Sequence, residues 1–280
     1  MLRRSFGVIA GLCLCAGGFT GAVVSAAAQQ SASELPPPKV LVAVVEELKP
    51  GKGGAVHEKT ESAYHRALKE NKSNTHYLAL NAISGPPRAL FLYRYDSFAA
   101  MEKQHMADYS NSTLATALDT ADVADGDLLA NQSFSVYSYR EEMSNPVPTD
   151  MAKMRYMDIT RITIKPGHRV EWEEYMKLNK AAILKVKPNS RWTTYQSEYG
   201  WQNGGVFLII RPLRSMDEVD TRIADVPKIR EAAGDLKHMA ELSAAAIESS
   251  QRNLFAFDPQ MSYLPDDWAK SDSFWQKKGE

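Results

Sequence analysis

The sequence predicts an α+β protein in which one structural unit occurs twice. Lys49-Pro50-Gly51 recurs 116 residues later as Lys165-Pro166-Gly167, and residues 49–96 align with residues 165–212 without a gap. Strand and helix signals alternate in the same order in both segments. An N-terminal apolar segment typical of export precedes them, so the repeated units make up nearly all of the predicted mature chain.

The first 28 residues resemble a cleavable signal peptide. Arg3 and Arg4 form a basic start, an apolar run extends from Phe6 to Val24, and Ser25-Ala26-Ala27-Ala28 offers the small residues that signal peptidase needs. Residues 29–38 are polar and proline-rich, which predicts a flexible leader. We therefore expect a periplasmic or secreted protein with no membrane span after cleavage, since no later apolar run approaches the roughly 20 residues that cross a bilayer.

Composition limits the chemistry that the mature chain can perform. Its two cysteines, Cys13 and Cys15, both lie in the predicted signal, which leaves no disulfide, thiolate nucleophile or cysteine-ligated metal. Removing Arg3 and Arg4 from 33 Lys+Arg leaves 31 against 34 Asp+Glu, a formal charge of −3. A surface without a basic excess argues against a nucleic-acid partner.

The first unit, 39–144, is predicted to fold as strand–helix–strand–strand–helix–strand. The aliphatic run 40–45 predicts a buried strand, and an apolar face at helical spacing predicts a helix over 54–70. Strands follow at 75–83 and 88–96, on either side of the turn sequence Ser84-Gly85-Pro86-Pro87. Ser97 can cap a second, irregular helical region that reaches Asp127, and alternation predicts a last strand over 133–140.

The second unit, 155–262, repeats this order after a linker at 145–154. Its predicted strands are 155–164, 191–199, 205–211 and 252–257, and its predicted helices are 168–186 and 215–250. The tail, 263–280, carries aromatic residues among charges, so we expect its first half to lie across an apolar groove and its end to fray.

This order is the ferredoxin-like βαββαβ pattern, and its tandem occurrence resembles the dimeric α/β-barrel superfamily over residues 39–262. The resemblance implies two antiparallel sheets packed face to face as an intramolecular α/β barrel, in effect an intramolecular pseudo-dimer with helices outside. The superfamily includes antibiotic-biosynthesis-type monooxygenases, haem-degrading monooxygenases, chlorite dismutase-like haem proteins and muconolactone isomerases. The fold does not choose among these activities.

One helix of the first unit carries residues that could ligate a metal. His57, Glu61 and His65 are spaced by four, so they stack along one side of the helix. On a helical wheel, these three residues lie away from the apolar face formed by Val56, Ala63 and Ala67. We therefore predict that they form a solvated stripe on α1 and do not bind a metal.

The remaining candidates for ligand-binding or catalytic residues lie on predicted strands, and we expect them to form a site between the two sheets. His76 begins the second strand, its counterpart under the 116-residue shift is Trp192, and it is the one candidate for a catalytic residue. Aromatic residues with a few polar groups suit a pocket for a flat ligand, and an ordinary barrel core suits them too. The predicted ligand-binding residues are His76, Tyr93, Tyr95, Tyr137, Trp192 and Arg211.

The sequence favours an exported protein that binds a small apolar or aromatic ligand between the sheets, with no redox cofactor. A cofactor-independent monooxygenase- or isomerase-like enzyme, with His76 or a tyrosine as proton carrier, is an alternative. Haem binding through His76 or another histidine is a further alternative, as is a structural role that uses the aromatic tail.

Overall fold

The first half of the chain forms four strands and three helices. The computed structural model describes residues 35–200 and 205–276, so the predicted signal and most of the predicted leader lie outside the described residues. Ser97 caps α2 as predicted, because its hydroxyl accepts a hydrogen bond from the backbone nitrogen of Ala100 at 3.0 Å. The elements are β1 Val40–Leu48, α1 Ala55–Glu70, β2 Tyr77–Ala82, β3 Arg88–Tyr95, α2 Phe98–Ser110, α3 Ser112–Gly126 and β4 Leu129–Tyr139.

The second half repeats this order with one difference from the predicted elements. The predicted helical region extended through residue 250, but residues 247–250 already belong to a strand. Ile247 pairs with Ile164 and Ser250 pairs with Ile162, so pairing with β5 overrides local helical preference. The elements are β5 Tyr156–Ile164, α4 Arg169–Val186, β6 Thr193–Tyr199, β7 Val206–Leu213, α5 Asp217–Ala233, α6 Leu236–Ala246 and β8 Ile247–Phe257.

The repeated Lys-Pro-Gly sequence marks the same turn in each half. Gly51 and Gly167 have φ angles of 75° and 84°, a region that glycine enters without steric cost. Proline followed by a glycine of positive φ suits a tight turn, here between a strand and the helix after it. The repeat is thus a consequence of backbone geometry.

Eight antiparallel strands close one barrel, in the order β1-β3-β2-β8-β5-β7-β6-β4. The first half contributes the sheet β4-β1-β3-β2, and the second half contributes β6-β7-β5-β8. Pairing of β2 with β8 and of β4 with β6 joins the two sheets. The predicted α+β barrel is confirmed, and one chain supplies every strand. Across 35–200 and 205–276, none of the helices combines the length and apolar character needed to cross a membrane.

Each sheet has an inner face towards the barrel axis and an outer face under helices. Because strand side chains alternate, Leu41, Leu92, Leu208 and Phe255 meet inside the barrel. Phe91 packs with Leu114 and Leu68 under the helices of the first half. Trp172, Phe207 and Met176 form the corresponding cluster of the second half. The fold therefore has three apolar clusters, one inside the barrel and one under each set of helices.

The tail after β8 is anchored by a tryptophan. The short helix α7, Asp266–Ser271, is followed by Trp275, whose side chain joins the inner cluster and packs against Phe257. The indole Nε1 of Trp275 donates a hydrogen bond to the backbone oxygen of Ala152 at 2.8 Å. In the first half of the tail, Tyr263 and Leu264 pack on apolar clusters as predicted, and burial of Trp275 extends this packing into the second half. The predicted frayed end, after position 276, lies outside the described residues.

We expect Trp275→Ala to lower the free energy of unfolding by about 3–5 kcal/mol, because it empties a buried aromatic site and removes one of the two hydrogen bonds that the Ala152 oxygen accepts. Urea denaturation followed by circular dichroism measures the change. Lys270→Ala, at an exposed position of α7, is the control and should stay near wild type. Equal stability of the two variants would show that the tail does not contribute to the core.

Candidate metal centre

A cluster of four ionisable side chains, three carboxylates and one imidazole, is buried between β1, α1 and α3. Its members are Glu46, His57, Glu61 and Asp125, whose exposed fractions are 3%, 1%, 3% and 1%. Carboxylates are rarely so deeply buried unless they are paired with a cation or hold a proton. We call this group the acidic cluster.

Three elements bring the acidic cluster together. Glu46 lies on the outer face of β1, because its neighbour Val45 packs against the barrel interior. His57 and Glu61 are one helical turn apart on the buried side of α1. Asp125 lies near the end of α3, which packs against α1. The site therefore depends on the contact of both helices with the first sheet.

The separations in the cluster suit a single ion. Nε2 of His57 lies 3.0 Å from Glu46 Oε2, 3.4 Å from Asp125 Oδ1 and 3.7 Å from Glu61 Oε1. One ligand atom from each of the four residues lies within 4.8 Å of all the others. Tetrahedral ligands at about 2.0–2.2 Å from a zinc ion are roughly 3.3–3.6 Å apart. Small side-chain shifts would bring the four atoms to that geometry.

Neighbouring polar groups orient two of the carboxylates but leave oxygen atoms unpaired. Nε2 of Gln132 donates to Glu46 Oε1 at 2.9 Å, and the hydroxyl of Thr60 lies 2.6 Å from Asp125 Oδ1. Within residues 35–200 and 205–276, the buried oxygens Glu61 Oε1 and Asp125 Oδ2 have no hydrogen-bond partner. A buried polar atom that lacks a partner costs free energy, so the internal hydrogen bonds do not satisfy the cluster.

Burial and mutual repulsion disfavour the charged forms of these carboxylates. Burial raises the pKa of Glu61 to about 10, and the carboxylates of Glu46 and Asp125 act in the same direction. Burial also raises the pKa of Asp125, although its hydrogen bond with Thr60 and the nearby His57 oppose this effect. The basic group that contacts the cluster's carboxylate oxygens is the imidazole of His57, which carries a charge only when it is protonated. Neutralisation therefore requires bound protons or a bound cation.

The second half of the barrel has apolar residues in the corresponding place. The first two buried positions of α4 are Trp172 and Met176, where α1 has His57 and Glu61. Under the shift of 116 residues Glu46 corresponds to Ile162, which packs in the apolar cluster with Trp172. Among the residues that the structure describes, the acidic cluster is thus a property of the first half alone.

The predicted solvent exposure of the α1 stripe is wrong. His57, Glu61 and His65 are all buried, and His65 packs against the ring of Tyr263 at 5.2 Å between centroids. Val56, one of the residues on which the wheel was centred, is 49% exposed. The helical-wheel prediction failed because its apolar face consisted mainly of alanines. An alanine side chain buries little apolar area, so the contact of α1 with a neighbouring helix decides which side of α1 is buried.

The predicted site between the sheets is not assembled, because only Tyr137 of its members faces the barrel interior. Tyr93 packs in the outer cluster of the first half, 5.1 Å from the ring of Tyr77, and Tyr95 shares its outer face. His76 precedes β2, and its ring packs against that of Tyr263 with 4.8 Å between centroids and a tilt of 34°. Burial lowers the pKa of His76, although the backbone of Tyr263 and the charge of Asp266 oppose this effect.

Trp192 and Arg211, the other two predicted site residues, lie together on the outer face of the second sheet. The guanidinium carbon of Arg211 is 5.9 Å from the centre of the Trp192 ring. The indole Nε1 of Trp192 donates to the backbone oxygen of Met143 at 2.7 Å. His76 and Trp192 therefore do not face each other across the barrel, since both lie outside its interior.

Sequence reasoning missed Glu46 and Asp125 as members of a site. A signal for Glu46 was present, because it interrupts an otherwise aliphatic strand on the face that α1 covers. No sequence pattern distinguished Asp125, because it belongs to an acidic stretch typical of a solvent-exposed helix. Only the packing of α3 on α1 distinguishes it.

No protein-family model matches the chain, and no curated protein matches it. Among solved structures, a protein described as a candidate monooxygenase from Fusobacterium nucleatum subsp. nucleatum ATCC 25586 aligns with 79% of this chain and 93% of its own, with 12% identity and a TM-score of 0.50. A chlorite dismutase variant from Candidatus Nitrospira defluvii aligns with 85% of this chain and 98% of its own, at 9% identity and a TM-score of 0.49. An anthrone oxidase-like protein aligns with 78% and 91%, at 11% identity and a TM-score of 0.47.

By its strand order, this protein belongs to the structural class of eight-stranded antiparallel barrels with helices on the outside. The likeness to the Fusobacterium protein, at 12% identity, concerns the fold alone. The chain has the fold of the dimeric α/β-barrel superfamily, with both halves of the barrel in one polypeptide.

We expect the metal-free protein to lose stability as pH rises from about 4.5 towards 10. In the fold the pKa of Glu61 is about 10, whereas its usual value is 4.5, so the folded state keeps a proton that the unfolded chain has released. This contribution is complete below pH 4.5 and is lost as pH rises through the folded pKa. Urea denaturation in the presence of a chelator, from about pH 5 to about pH 9, measures the slope.

Glu61→Gln tests the cause of this pH dependence, because its amide stays neutral over the whole range. We expect a smaller decline in stability with pH than in wild type. Glu70→Gln, at an exposed position of the same helix, is the matched control and should keep the wild-type slope. An unchanged slope in Glu61→Gln would contradict the assignment.

Proposed function

We propose that the protein is an exported barrel that binds one divalent metal ion at the acidic cluster. The observation that carries this proposal is the convergence of four buried ligand groups, two of which present unpaired oxygen atoms. Export is supported by the basic start, apolar run and small-residue end of residues 1–28.

Electrostatics supports a cation over a purely structural hydrogen-bond network. Three ionised carboxylates carry a charge of −3, and removing each of them from water costs several kcal/mol. A divalent cation together with one retained proton would make the cluster neutral. The cation would also provide a partner for Glu61 Oε1 and Asp125 Oδ2, the atoms that the internal network leaves unpaired.

The ligand types indicate which ions suit the site. One imidazole nitrogen with three carboxylates suits Zn²⁺, Mn²⁺ or Fe²⁺ better than Cu⁺, which prefers sulfur ligands. A site with four protein ligands and almost no solvent exposure is typical of a structural ion. Gln132 and Thr60 would act as outer partners that orient Glu46 and Asp125. We therefore assign the ion the role of fixing α1 and α3 against β1.

We expect the chelator-treated mature protein to bind one equivalent of Zn²⁺ or Mn²⁺ in calorimetric titration, because the second half has no counterpart of the cluster. Glu61→Gln and Glu46→Gln should each weaken binding by about 100-fold, since each removes a charged ligand. Glu70→Gln changes the same group at an exposed position of α1 and should bind like wild type.

Far-ultraviolet circular dichroism must first show that each variant is folded. Binding that persists at full stoichiometry and affinity in both cluster variants would overturn the proposal. So would a wild-type protein that binds neither ion.

A small apolar or aromatic ligand between the sheets, bound without a redox cofactor, is a second candidate function. It is favoured by a polar end of the barrel interior, where Ser133 and Gln251 are exposed and Ser135 and Asn253 are half-buried on the inner face near Tyr137. Catalysis on such a ligand, by a monooxygenase- or isomerase-like reaction without a cofactor, is the related alternative. None of the six histidines lies on an inward-facing strand position, so a haem between the sheets would lack a histidine ligand.

Binding of an apolar fluorescent dye tests this second candidate. Ser135→Trp should reduce dye binding by narrowing this end, whereas Ser138→Trp, on the outer face of the same strand, should not. Equal dye binding by both variants and wild type would remove the candidate.

A further inference from the structure

The outer face of the second sheet carries three arginines around one aspartate. Asp158 on β5 is the centre of this group, with Arg252 on β8, Arg211 on β7 and Arg222 on α5. Asp158 and Arg211 are cross-strand partners, and both point towards the helices of the second half. We call these residues the arginine cluster.

A single arginine already occupies both oxygens of the aspartate. Nε of Arg252 donates to Asp158 Oδ1 at 2.7 Å, and a terminal nitrogen of Arg252 donates to Oδ2. Arg222 approaches Oδ2 only at 3.6 Å, beyond hydrogen-bond distance. The carboxylate therefore neutralises one of the three guanidinium groups, and the cluster has an excess charge of +2.

The other two arginines lack sufficient partners. Nε of Arg222 is buried and has no hydrogen-bond partner in the part of the chain that the structure describes. Within the described residues, no carboxylate oxygen lies within 4 Å of Arg211. Burial lowers the pKa of Arg211 to about 10, the repulsion of Arg252 and Arg222 acts in the same direction, and Asp158 opposes it. Partly buried like charges without counter-charge are unfavourable, so an added anion would stabilise them.

Solvent reaches the cluster without any opening of the barrel. The side chains of Arg252 and Arg222 are 41% and 29% exposed. The ring of Trp192, 5.9 Å from the guanidinium carbon of Arg211, is itself buried, so the guanidinium groups are the part of the cluster that a ligand can reach.

We propose that Arg211, Arg222 and Arg252 form a binding site for a small oxyanion, such as a phosphate or a carboxylate. Guanidinium groups present paired N–H donors that match the oxygens of these anions. Asp158 holds Arg252 in position and limits the positive charge of the site. The site lies in the second half of the chain, and its residues are distinct from those of the acidic cluster, so it is independent of the metal proposal.

Calorimetric titration with inorganic phosphate, acetate and benzoate, at constant ionic strength in chloride, tests the site. We expect saturable binding of at least one oxyanion, with affinity about tenfold weaker in Arg222→Gln and in Arg211→Gln. Arg230→Gln removes an exposed arginine of the same helix and should bind like wild type.

Asp158→Asn should change oxyanion affinity in the opposite direction to the arginine variants. A purely structural role of the arginine cluster would not produce this increase. Removing the negative charge of Asp158 raises the excess charge of the cluster, so oxyanion binding should become tighter even though the fold becomes less stable. The proposal is overturned if none of the three anions binds saturably to wild type. It is also overturned if Arg230→Gln weakens binding as much as Arg222→Gln.

Discussion

Closure of the barrel determines how the two sheets and their helices are arranged. Each four-stranded sheet has helices on one face, so its other face must be buried by a partner. The chain meets this requirement with two short edge contacts, in which Leu80 pairs with Phe257 and Tyr139 pairs with Tyr195. These contacts bring two apolar inner faces together and leave no free sheet edge among the described strands.

Closure also explains why the chemistry of this protein lies outside the barrel. Inner residues from both halves share one core, so a change in one half requires compensation in the other. The outer faces are on opposite sheets, and each is covered mainly by the helices of its own half, with Met261 and Tyr263 added to the first cluster and Met143 to the second. The two outer faces have accordingly diverged. One holds the acidic cluster, whereas the other combines an apolar cluster around Trp172 with the arginine cluster around Asp158.

The sequence predicted the order of elements well, because strand alternation, helix periodicity and the Pro-Gly turns are local properties. The helix predicted over 54–70 spans Ala55–Glu70, and the strand predicted over 155–164 spans Tyr156–Ile164. The site was predicted poorly, because it depends on which side of each element is covered. Tyr93 and Arg211 were placed on plausible strands, but the face that each presents is set by the register of the closed barrel. The burial of Asp125 depends on the contact between α1 and α3, which no local pattern records.

Anomalous diffraction from crystals of the mature protein grown with Mn²⁺ tests whether the acidic cluster holds one metal ion. We expect one anomalous peak enclosed by Glu46, His57, Glu61 and Asp125, at about 2.0–2.2 Å from their ligand atoms. We expect no equivalent peak beside Trp172, in the second half. Full occupancy at any other position, with the acidic cluster empty, would show that the cluster is not the metal site.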